Sequence, residues 1–155
     1  MRRSRYAAGC LDKITGVGIL MSKIIEIYIQ EMDKDFVKYI RTGKTWTINE
    51  YEYVRTHVHR ISEKPFKEIY GTQLSEKENI LNHYIFRSNL SNFLLALKWV
   101  TEHGWTAYPS EKMRNDVVDM FYVSFATYFD GVLSNDRKIN SIYQQAIDFI
   151  TFVRK

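Results

Sequence analysis

Hydrophobic positions recur at intervals of three and four along most of the chain. From Ile19 to Ile40 they fall at Leu20, Ile24, Ile27 and Tyr28, then at Met32, Phe36, Tyr39 and Ile40, with Lys23, Glu26, Gln30, Asp33 and Lys34 between them. This spacing predicts one amphipathic helix, closed at Gly43, because glycine readily takes the left-handed conformation that ends helices. Thr45-Trp46-Thr47-Ile48 is short, β-branched and aromatic, so it reads as a strand. Asn49 reads as the cap of a helix opening at Glu50-Tyr51-Glu52. The segment His57–Tyr70 is amphipathic and broken at Pro65, and residues 71–78 read as polar linker. A helix from Asn79 to Arg87 follows, and then Ser88–Ser91 supply caps for Asn92–Glu102, whose Phe93, Leu94, Leu97 and Val100 form a core-facing stripe that Gly104 ends.

The last third of the chain alternates between patterns. Trp105–Tyr108 reads as extended, Asp116–Thr127 as helix, Gly131–Ser134 as strand and Asp136–Ala146 as helix. Ile147–Val153 is nearly all β-favouring and reads as a closing strand. Tyr6–Leu11, near the amino terminus, is a further short apolar strand. Short strands joined by helices are what a parallel crossover requires, so the expected fold class is α/β, with a short parallel sheet and a large helical portion. The aromatic stripe Phe121, Tyr122, Phe125 and Tyr128 is assigned to core packing.

Composition narrows the picture only in part. The 155 residues are 45% hydrophobic and 26% charged, with two Pro and seven Gly, which is the make-up of one globular domain without low-complexity tracts. A net charge of +4 permits a polyanionic partner but lacks the clustered basic density that would make nucleic acid the default. Cys10 is the single cysteine, which excludes an intrachain disulfide and a Cys-based zinc cage and fits a reducing, cytoplasmic setting. Asp12 and Lys13 interrupt the apolar run behind the basic start, so no secretory signal is read, and no window approaches a membrane span.

The candidate chemistry lies in carboxylates. Asp116 and Asp119 are three apart on a helix and so share a face. Asp136 lies just past the expected strand Gly131–Ser134, while Asp12 and Glu50 each follow an expected strand closely. Ligands of open α/β sheets sit beyond the carboxyl ends of strands, which would gather these acids at one rim. Clustered carboxylates hold Mg²⁺ or Mn²⁺, and such an ion activates a water for attack on a phosphodiester. Plainer roles stand beside these: Asp116 as a first-turn acid on the helix dipole, Asp136 as an N-cap, Asp130 as a turn residue, and His57 and His59 as solvated side chains. Gly16-Val17-Gly18 lacks what a phosphate-binding loop or dinucleotide fingerprint needs.

Over residues 115–136, Asn115-Asp116 with Asp119, an apolar helix, and then Phe129-Asp130-Gly131-Val132-Leu133-Ser134-Asn135-Asp136 resemble the carboxy-terminal half of a PIN-like nuclease domain. Ser134-Asn135-Asp136 matches that family's Thr/Ser-x-Asp pattern. The resemblance implies a single PIN-like domain over residues 1–155, a three-layer α/β/α sandwich, and Mg²⁺- or Mn²⁺-dependent cleavage of RNA or single-stranded nucleic acid. Relatives include toxins of toxin–antitoxin pairs. Asp136 then corresponds to the fourth family acid, Asp116 or Asp119 to the third and Glu50 to the second, with Asp116, Asp119, Asp136 and Asp12 holding the metal. Asp12 departs from the first-acid pattern, being followed by Lys13-Ile14-Thr15, which implies an altered or truncated amino-terminal element.

Two expectations follow. One is a metal-dependent endoribonuclease using Asp12, Glu50, Asp116, Asp119 and Asp136, with Arg114, Arg137 and Lys138 positioning phosphates. The other is a catalytically silent PIN-like or helical interaction module whose aromatic surface binds a partner chain. The partners expected are RNA or single-stranded nucleic acid and an antitoxin or other protein, and, separately, a homodimer is open to the chain.

Overall fold

The computed structural model describes residues 23, 25–72, 80–104, 110–132 and 134–154. Every regular element among them is helical: α1 (25–31), α2 (Lys34–Arg41), α3 (Ile48–Tyr70), a 3₁₀ turn (Ile80–Asn82), α4 (Tyr84–His103), α5 (Ser110–Ala126) and α6 (Arg137–Val153). No strand occurs among the described residues, so the expected α/β class and the PIN-like sandwich with its parallel sheet are overturned. The expected strand Tyr6–Leu11 and the extended Trp105–Tyr108 lie outside the described residues.

Helix α4 is the axis of the molecule. It packs against α2, α3, α5 and α6, and from Phe86 to Val100 only Lys98 escapes burial. Ridges of apolar side chains on the surrounding helices close over it. Phe93 meets the edge of Tyr28 at 5.2 Å between ring centroids, Phe86 meets Phe149 at 6.4 Å, and Tyr51 stacks on Phe152 at 3.9 Å to join α3 to α6.

The corrections have local reasons. The predicted helix Ile19–Ile40 is interrupted at Met32-Asp33, because the Asp33 carboxylate accepts from Phe36 N at 2.8 Å and starts α2 afresh. Residues 44–47 are irregular rather than a strand. The cap of α3 is Thr47, not Asn49: Thr47 and Glu50 form a capping box, with Thr47 N donating to Glu50 Oε2 at 2.6 Å. Helix α3 runs through Pro65 without a break, although proline has no N–H to give to the helix ladder.

Ser88, Asn89, Ser91 and Asn92 are not caps but a buried polar stripe inside one continuous helix. Asn89 Nδ2 donates to Ser62 Oγ on α3 at 3.0 Å, and Ser124 Oγ on α5 donates to Ser91 Oγ at 3.1 Å. These bonds satisfy polar groups whose burial would otherwise be costly. At the carboxyl end, Ile147–Val153 continues α6 rather than forming a strand. Ile142, Ala146, Phe149 and Ile150 are all buried, a spacing that lays one helical face against α4, and this burial outweighs the local β propensity. Gly131–Ser134, the remaining expected strand, is irregular where described.

Candidate functional site

Helix α5 begins at Ser110, well before Asp116, so neither Asp116 nor Asp119 sits in its first turn. The two carboxylates share a face, as their spacing requires, and that face meets the start of α6. Opposite them lies Lys138, whose ammonium bonds Asp116 Oδ1 and lies 3.4 Å from Asp119 Oδ2. Asp116 is 5% exposed. The charge compensation that such a cluster demands therefore comes from within the chain.

The protonation equilibria carry the same signature. Burial raises the Asp119 pKa, and although Lys138 pulls it down, the charges of Asp116 and Asp136 add to the rise. Burial by itself pulls Lys138 down. The hydrogen bond to Asp116, with the charges of Asp116, Asp119 and Asp136, outweighs it and leaves the lysine raised.

The two other predicted site acids among the described residues, Asp136 and Glu50, each help cap a helix. Asp136 caps α6, accepting from Lys138 N at 2.7 Å and Ile139 N at 3.3 Å through the same oxygen. Glu50 belongs to the capping box of α3, where the Thr47 hydroxyl lowers its pKa. Its neighbour Tyr51 stacks on Phe152, which lies about 20 Å further along α6 than Lys138 at 1.5 Å per residue. Asp12 and the Arg114 side chain lie outside the described residues, and Lys138, expected to position a phosphate, is held by Asp116. His57 Nδ1 sits 2.9 Å from Tyr53 O and His59 Nδ1 3.4 Å from Glu63 Oε1, each within α3. Among the described residues no group of three His, Cys, Asp or Glu side chains is arranged to hold a metal. Among the described residues the donors do not fit the Mg²⁺ or Mn²⁺ that the PIN-like resemblance implies, because the ammonium stands against both carboxylates and Asp136 faces its own helix.

Of the aromatic stripe expected in the core, Phe121 is half-buried while Tyr122, Phe125 and Tyr128 are exposed, and Phe129 joins them on a second surface. Tyr122 is 66%, Phe125 56% and Phe129 70% exposed, and Tyr128 is exposed at their side. The buried side of α5 is instead Val117, Met120 and Val123. The polar tether beneath this surface is Arg87, a buried cation on α4. It donates to Leu81 O and Thr127 O, and its guanidinium carbon sits 3.7 Å from the centroid of the Tyr128 ring. Tyr128 Oη in turn donates to Asn82 O at 2.9 Å. Arg87 thus fixes the end of α5 against the 3₁₀ turn and leaves the outer rings presented to solvent. Neither side of α5 is charged over Met120–Phe129, so periodicity by itself does not say which faces inward.

Comparison with known proteins gave no match: no protein family, no curated protein and no solved structure matches the chain. No helix among the described residues is long and apolar enough to cross a membrane.

Proposed function

We propose that this chain is a catalytically silent helical interaction module that engages a partner protein through the aromatic surface of α5. The observation that carries this reading is the run of exposed rings Tyr122 and Phe125 on α5 and Phe129 in the turn that follows it. Exposed aromatics grouped on one element, rather than scattered singly, are a mark of interaction surfaces, where they provide contact area at small entropic cost. Arg87 and the buried polar stripe of α4 brace that helix, so the rings need little ordering on binding. The Asp116–Lys138–Asp119 cluster acts in this reading as a strut between α5 and α6. The single Cys10 goes with a reducing, cytoplasmic setting.

The test has two arms. A photo-crosslinking amino acid in place of Phe125 is expected to give a discrete adduct in cells, whereas the same group in place of the exposed Lys64 on α3 gives none. Absence of any Phe125 adduct overturns the reading. In the second arm, the purified chain is incubated with RNA and with single-stranded DNA in Mg²⁺ or Mn²⁺. Cleavage that is lost in Asp116→Asn and Asp136→Asn would replace the interaction reading with the nuclease one.

A further inference from the structure

The outer face of α5 has a regular step. Val118, Tyr122, Phe125 and Phe129 follow one another at intervals of four, three and four, the spacing of a heptad seam, back to back with the buried Val117, Met120 and Val123. The seam outlasts the helix proper. Tyr128 N donates to Phe125 O and Phe129 N to Ala126 O, both at 3.0 Å, so the chain keeps a tightened helical register as far as Phe129.

Beside the seam an open groove of about 480 Å³ runs between the end of α5 and the start of α6. Tyr122, Ala126, Gly131, Val132, Ser134 and Ile139 line it. Among the described residues the groove and seam are uncharged, with the exposed Asp130 at their edge between Phe129 and Gly131. An acidic partner therefore gains nothing there, while in a copy crossing near Phe125 the two Asp130 side chains lie at opposite ends of the contact. Knob and groove also share one face, Tyr122 belonging to both. That is the condition for an isologous contact, in which each copy offers the other what it receives.

The area points the same way. At roughly 200 Å² per aromatic side chain, the exposed parts of Tyr122, Phe125, Tyr128 and Phe129 come to about 450 Å² on one chain. Doubled across a two-fold axis and rimmed by Val118, Val132 and Ile139, this reaches the range of about 1,000 to 1,200 Å² at which specific interfaces begin.

Resting on the interaction-module reading, we propose that the partner is a second copy of this chain. The two α5 helices cross antiparallel about a two-fold axis near Phe125, and Phe129 of each copy enters the groove of the other. The dimer is a dynamic one, given an interface at the small end of the specific range.

Sedimentation of the full chain from micromolar to near-millimolar concentration tests this. The wild type is expected to approach twice its 18.5 kDa mass as concentration rises. Gly131→Leu fills the groove from a position where an added Cβ meets nothing within 4 Å, so it is expected to stay folded and become monomeric. Phe129→Asp is expected to do the same, and Ile48→Asp, at the exposed start of α3, to dimerise as the wild type does. A wild type that stays monomeric throughout, or a dimer that survives both Gly131→Leu and Phe129→Asp, overturns the proposal. A monomeric wild type that still forms a Phe125 adduct with a different protein removes only the self-pairing. A monomeric wild type with no adduct removes the interaction reading as well.

Discussion

The Lys138 ammonium of α6 bonds the Asp116 carboxylate of α5 and lies 3.4 Å from Asp119 Oδ2, so one cation answers two acids at the junction of these helices. Asp116 is buried while Lys138 retains some exposure. Removing the lysine takes away the cation that bonds the buried Asp116 carboxylate and stands beside Asp119. Lys138→Met is therefore expected to lower unfolding stability by about 2–4 kcal/mol in denaturant titration, and Lys138→Met combined with Asp116→Asn to recover much of the loss.

The same cluster sets a pH dependence with two parts of one sign in separate pH ranges. The Lys138 pKa is raised on folding, so its stabilisation is fully present below the ordinary lysine range and lost as pH rises through the raised value. Asp119 is also raised, so the folded state binds its proton more tightly than the unfolded chain does. The stability gained by protonating Asp119 is accordingly present at acid pH and lost as pH rises from the ordinary carboxylate range through the folded value. Denaturation across pH is expected to show a fall at strongly alkaline pH that is smaller in Lys138→Met, the buried tyrosines such as Tyr28 supplying the rest. Asp119→Asn is expected to remove the acid-side component. An unchanged alkaline limb in Lys138→Met would contradict this account.

Asp136 separates a capping role from a ligand role. An asparagine caps as well as an aspartate, so Asp136→Asn is expected to leave thermal stability nearly unchanged, while Asp136→Ala costs about 1 kcal/mol. A fall in stability of the asparagine variant equal to that of the alanine variant would show that the charge, not the acceptor, matters.

Arg87 ties three elements together from within the fold. Its Nε and Nη1 donate in different directions, to Leu81 O and Thr127 O, and its plane lies over Tyr128. Arg87→Met is expected to cost about 3 kcal/mol or more, since it leaves buried carbonyls without donors. Arg87→Lys is expected to recover little, because a point charge cannot reproduce the fork. Calorimetric unfolding of the two variants checks both statements.

The outer rings of α5 are expected to behave as surface. Tyr122→Ser and Phe129→Ser should each change monomer stability by less than about 0.5–1 kcal/mol, whereas Met120→Ala, on the buried side of the same helix, should cost about 2–4 kcal/mol. Equal losses on both sides would mean that the rings are buried in solution.

Much of the local plan was written in the chain. Phe93, Leu94, Leu97 and Val100 are buried as expected, although Leu95, Ala96 and Trp99 off that stripe are buried too, and Gly104 has the positive φ suited to a helix end. The shared face of Asp116 and Asp119 likewise follows from spacing alone. What spacing could not supply is the partner of each face. Ile147–Val153 is β-favouring by composition, and only the burial of Phe149 and Ile150 against α4 makes it helix. Ser88, Asn89, Ser91 and Asn92 look like the caps of two helices until Ser62 and Ser124 arrive from neighbouring helices to bond two of them. Lys138, read from sequence as a phosphate contact, became the counter-ion of Asp116 because α5 and α6 pack side by side. The sequence by itself determined helical periodicity, acid spacing and the absence of a disulfide. The tertiary structure decided which apolar seam of α5 turned inward and which cation met the acids, because both depend on residues far apart in the chain that only packing around α4 brings together.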